Sequence, residues 1–192
     1  MPKDYLRFLE LSCKKFKKEN KEIFDIVIYG SFVKGKMDFN DIDLMVVFLE
    51  TSLEKRLEIA QKLKFLIKKE IEKIDIKTMN FADFFDENFL ARQGVIMEGK
   101  SLIKNKSLAE LFGFDSFAVF SYKLKNLNHN KKTQFVYALS GRNNKGVLES
   151  LNGISLGRGV ALIPMHYSNE FEAFLQGWNI VYSLKKVLVS KL

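Results

Sequence analysis

The chain has 192 residues, 47% hydrophobic and 28% charged, with a formal net charge of +8. This is enough chain for one large domain or two small ones with a real core, and its positive excess favours polyanionic partners. Cys13 is the single cysteine, which excludes an internal disulfide and points to a reducing compartment. No apolar run reaches the length of a membrane span and Met1-Pro2-Lys3-Asp4 lacks the apolar core of a signal peptide, so the expectation is a cytoplasmic protein with no membrane partner.

Apolar side chains at Tyr5, Leu6, Leu9, Cys13 and Phe16 predict a helix over residues 3–21. Cys13 reads there as a small packing residue. Lys14, Lys15, Lys17 and Lys18 occupy the other side, as a solvated face or a surface that tracks phosphates. A buried strand follows from Ile23 to Tyr29 and ends abruptly in Gly30-Ser31. Gly30 permits close approach of backbone to a ligand. Ser31 suits the N-cap of a short helix, whose free N–H groups and dipole favour a phosphate. Lys34 adds a mobile cation nearby, and Gly35 bounds the segment.

A second strand runs from Asp41 to Leu49. Side chains at i and i+2 of a strand share a face, so Asp41 and Asp43 project together while Ile42 points away. Two adjacent carboxylates repel unless a cation sits between them, and Mg²⁺ takes carboxylate and phosphate oxygens together. Thr51-Ser52 with Glu54 forms a cap for a helix over residues 52–72, apolar at Leu57, Ile59, Leu63, Leu66 and Ile67. A third strand, Lys73 to Asn80, carries Asp75 as the only acid in a short apolar alternation. Residues 81–97 read as a helix that buries Phe84, Phe85, Phe89 and Leu90.

This order of features resembles the nucleotidyltransferase superfamily of the DNA polymerase β type, and most closely its minimal members. In that family a strand ends in Gly-Ser, a short helix with a Gly follows, and Asp-x-Asp opens the next strand. Here Gly30, Ser31, Gly35, Asp41 and Asp43 carry the match, Asp75 fits the third carboxylate on a later strand, and residues 94–103 look like the closing helix and final short strand. The resemblance covers residues from about 22 to 105. Asn40 stands where the family usually has Ser and can make the same turn, while Phe32 and Val33 occupy positions where an Arg is common. The resemblance implies an α+β fold, with a nucleotidyltransferase domain of mixed sheet and helices over residues 1–105.

It also implies an activity. An NMP, with AMP expected, would pass from an NTP, with ATP expected, to a hydroxyl acceptor that is RNA or a protein. Asp41, Asp43 and Asp75 would hold Mg²⁺ or Mn²⁺ and act in catalysis; Gly30, Ser31, Lys34 and Gly35 would bind the nucleotide. The alternative is an inactive module of the same fold that binds nucleic acid or a protein partner.

Near Asn105 the character changes, and residues 106–192 carry no family resemblance. They predict a small α+β domain. Its expected helices are Leu108–Phe112, Thr133–Leu139, Val147–Leu151 and one from Ser168 through Leu175 to Trp178. Its expected strands are Phe117–Tyr122, Val160–Ile163 and one or two over residues 179–189. Two Gly-bounded loops, 140–146 and 152–159, present Arg142 and Arg158 beside Gly141 and Gly157. They are ordinary turns or an acceptor-binding pair of cations. His129 and His166 lack neighbours at zinc-ligand spacing.

Overall fold

A computed structural model describes residues 3–30, 33 and 41–191. Contacts divide the chain into two units, Met1–Phe112 and Gly113–Leu192.

The first unit opens with helix α1 (Lys3–Glu19), which buries Leu9, Cys13 and Phe16 at helical spacing. Strand β1 (Ile23–Tyr29) runs antiparallel to β2 (Ile42–Phe48). Helix α2 (Leu53–Ile67) is capped by Ser52, whose hydroxyl accepts from the Lys55 N–H. It crosses over to β3 (Ile74–Asn80), which pairs parallel to β2. A 3₁₀ turn, Phe81–Phe85, leads to α3 (Arg92–Glu98), a short β4 (Lys100–Ser101) and α4 (Leu108–Leu111). The sheet order is β3-β2-β1-β4.

Alternation along these strands splits the core in two. Ile26, Ile28, Leu44, Val46 and Ile74 pack with α1 and α2 through Leu9, Phe16, Ile59 and Leu63. Val27, Tyr29, Met45, Val47 and Met79 face the other way, against Phe84, Val95 and Leu108. One buried charge sits on β1. The Asp25 Oδ1 accepts from Ser101 Oγ at 2.8 Å and from the Ile26 N–H at 2.7 Å. Lys104 Nζ lies 3.7 Å from its Oδ2, so the carboxylate ties β1 to the segment after β4.

The second unit is a wholly antiparallel sheet with helices on one face. Its elements are β5 (Phe114–Tyr122), α5 (His129–Ser140), α6 (Val147–Ser150), β6 (Ile154–Gly157), β7 (Val160–Pro164), α7 (Ser168–Gly177) and β8 (Tyr182–Ser190), in sheet order β6-β7-β5-β8. Ala118, Phe120, Ala161 and Ile163 bury against Phe135, Leu139, Phe171 and Leu175. The Phe120 and Phe171 rings meet edge to face at 4.9 Å.

Some expectations are corrected. The predicted helix over 81–97 is a 3₁₀ turn and a separate α3, because the Asp86 carboxylate accepts from the Asn88 N–H at 2.9 Å and turns the chain. Phe84 is buried as expected, but Phe85 is 77% and Leu90 92% exposed. Helix α2 stops at Ile67, and its buried stripe is Ile59, Ala60, Leu63 and Ile67, which leaves Leu57 and Leu66 at the exposed margin. The predicted loop over 152–159 contains β6, hydrogen-bonded to β7 through a hairpin that turns at Gly157-Arg158-Gly159.

Candidate active site

The site grows from the ends of three neighbouring strands. Tyr29, the last residue of β1, pairs with Asp43 on β2, and Asp43 pairs in parallel register with Asp75 on β3. Paired residues on adjacent strands point to the same side of the sheet. Asp43 and Asp75 therefore stand side by side, about 5 Å apart by strand spacing, on the face turned away from α1 and α2. Asp41 lies exposed just before β2, close enough to Asp43 for its charge to disfavour ionisation there.

Gly30 closes the other side. Its φ is +82°, and a Cβ built there would sit 2.3 Å from Asp43 Oδ2. The glycine thus makes room for the carboxylate as well as for any ligand, which sequence reasoning did not foresee. Ser31, Lys34 and Gly35, expected at the phosphate end, lie outside the described residues.

The electrostatics follow from the crowding. The Asp43 carboxyl is pushed above its ordinary range by burial first and then by Asp41, with Asp75 adding to the rise and Lys77 opposing it. Burial, with Asp43 and Asp75 beside it, pushes the Tyr29 hydroxyl up to about 12. Lys77 Nζ stands 3.6 Å from Asp75 Oδ2. Both Lys77 and Tyr29 went unnoticed in the sequence. For Lys77 the signal was present, since it follows Asp75 at the i+2 spacing that marks one strand face.

The structure thus brings Gly30, Asp43 and Asp75 together, with Asp41 at the margin. Arg142 and Arg158 belong to the second unit. Arg142 is exposed, with its guanidinium 4.9 Å from the centre of the Tyr137 ring. Arg158 is exposed at the β6–β7 hairpin.

The family model described as "Polymerase beta, Nucleotidyltransferase" matches residues 12–107, half of the chain. The chain belongs to this family. The matched residues form a nucleotidyltransferase domain of mixed sheet and helices, and a further α+β region follows. Among solved structures, the tri-AMPylated Shewanella oneidensis HEPN toxin in complex with MNT antitoxin is similar at 22% identity over 50% of this chain and 71% of that one, with a TM-score of 0.36. A toxin–antitoxin structure with AMP-PNP is similar at 25% identity over 48% and 71%, TM-score 0.37. The toxin–antitoxin MntA–HepT is similar at 21% identity over 50% and 70%, TM-score 0.35. No curated protein matches the chain.

Nucleotidyltransferases of this fold generally use divalent metals, and the donor set here suits one. Three carboxylates offer the hard oxygen ligands that such cations take, and after burial Asp41 and Asp75 each add to the rise of the Asp43 carboxyl. Among the described residues no three His, Cys, Asp or Glu side chains already converge as a closed cation cage.

Proposed function

We propose that the chain transfers an NMP, AMP in the first instance, from an NTP such as ATP to a hydroxyl acceptor on RNA or a protein. The observation that supports this reading is the registered Asp43–Asp75 pair beside Gly30. Asp41, Asp43 and Asp75 would hold Mg²⁺ or Mn²⁺. When bound, the metal neutralises phosphate charge and lowers the pKa of the attacking hydroxyl. Gly30, Ser31, Lys34 and Gly35 would bind the nucleotide, Gly30 by close backbone approach to the phosphates and Lys34 by its charge. The acceptor oxygen forms its bond to the α-phosphorus as the bond to the β-phosphate oxygen breaks, and pyrophosphate leaves. The chain's part is positioning and charge complementarity. Arg142 and Arg158 are the acceptor-binding candidates of the second unit. Among the described residues no helix is long and apolar enough to cross a membrane, and we read the protein as cytoplasmic.

The test is incubation with α-labelled ATP and divalent metal, with and without RNA or cell extract. Label should move to an RNA or protein band, and Asp43→Ala should abolish it. Unchanged transfer by that variant sinks the assignment. Arg142→Ala/Arg158→Ala should weaken acceptor binding and leave ATP binding alone.

A further inference from the structure

We propose that a lysine-lined groove beside α1 holds the phosphodiester backbone of an RNA, on the sheet face opposite the carboxylates. Lys14, Lys17, Lys18 and Lys21 line a groove of about 570 Å³ whose remaining wall is Ile103. Lys17 donates to the Ile23 carbonyl at 2.8 Å, which fixes its side chain along the groove. Among the described residues Lys14, Lys18 and Lys21 pair with no carboxylate, and no acid lines the groove. Four cations in one concavity without a counter-charge leave a strong local positive potential.

The arrangement favours a phosphate chain over other anions. Lys14 and the Lys17–Lys18 pair lie one helical turn apart on α1, about 5.4 Å of axis, and Lys21 follows in the turn just beyond it. A row of cations along a groove suits a polyanion better than a single compact anion. The wall contributed by Ile103 packs onto the helix-side core, so the groove is not an apolar stripe turned out to enter a lipid surface. No aromatic ring lines it, which removes base stacking and leaves contact to backbone phosphates, so binding is indifferent to sequence. α1 packs on the face of the sheet away from Asp43 and Asp75. The surface therefore holds a strand without contributing to transfer, and its occupancy stands or falls separately from the reaction proposed above.

The test is titration of labelled oligouridylate against the protein, without nucleotide, at several salt concentrations. Lys14→Ala/Lys18→Ala/Lys21→Ala removes the unpaired cations and keeps Lys17. At about 0.7 units of log–log slope per lost phosphate contact, the salt dependence should flatten by about 2 units. Between about 50 and 200 mM salt, that shrinks the wild-type loss of affinity by roughly 15- to 20-fold. The triple Arg variant at the same positions should restore the slope. Three results overturn the proposal. One is an unchanged slope in the triple Ala variant with its helical signal intact. A second is equal binding of polyglutamate or anionic vesicles, which makes the groove a site for acidic protein or lipid. The third is a slope that falls only in Arg142→Ala/Arg158→Ala, which moves the strand to the second unit.

Discussion

Gly30→Ala perturbs the site at one atom, and its cost follows from the geometry. Gly30 holds φ at +82°, which a residue with a Cβ adopts at roughly 1–2 kcal/mol. The new methyl would also lie 2.3 Å from Asp43 Oδ2 and 3.3 Å from its Cγ. Asp43 must leave its rotamer, at about 0.5–1.5 kcal/mol more. The sum, about 1.5–3.5 kcal/mol, corresponds to a fall in Tm of roughly 10 °C for a domain of this size. Urea unfolding followed by circular dichroism measures it. In an Asp43→Ala background the clash disappears, because the remaining Asp43 Cβ is at an ordinary 3.6 Å. The cost of Gly30→Ala should then drop to the backbone part, a coupling of roughly 1 kcal/mol. An equal cost in both backgrounds, or none in either, refutes the Gly30–Asp43 contact.

Asp43 carries a pKa raised above its unfolded value. The native state thus holds its proton longer, and stability contributed by this group is lost as pH rises from the ordinary carboxylate range through the raised value. Asp43→Asn should flatten that decline and raise Tm at neutral pH, read by thermal scans across pH. Lys77→Met removes the cation that opposes the rise, so the Asp43 titration followed by carboxyl NMR should move further up. Ser101→Ala takes one hydrogen bond from the buried Asp25 and should cost about 1.5–3 kcal/mol in urea unfolding; a neutral effect would show that the Ile26 N–H and Lys104 suffice.

Much of the first unit was legible because its strands are short, apolar and bounded by turn residues. β1 has the limits expected from Ile23 and the Tyr29–Gly30 junction. Local alternation put Asp43 on its face correctly, whereas Asp41, expected to open the strand, lies just before β2. What local pattern could not show is that β2 and β3 pair in a register that sets Asp43 against Asp75, because that is a long-range choice. The failure over 81–97 had a readable cause. Asp86-Glu87-Asn88 is a turn sequence inside a helical period, and the aromatic count outweighed it. Ile154 and Leu156 alternate as a strand does, but Gly153, Gly157 and Gly159 disguised β6 as a loop. Its exposure explains why no burial pattern gave it away: every residue of β6 is open to solvent.

The parallel pairing of β2 with β3 sets an order of assembly. β1 and β2 are close in sequence and can pair early, whereas β3 reaches β2 only after the α2 crossover has formed and packed, a longer closure that is made later. A chain emerging from the ribosome therefore carries Gly30, Asp41 and Asp43 well before Asp75 can join them. Fragments that end short of Ile74 retain the glycine turn and two acids but never the third. The electrostatic strain between neighbouring strands is a property of the finished domain alone, and so is whatever chemistry depends on it.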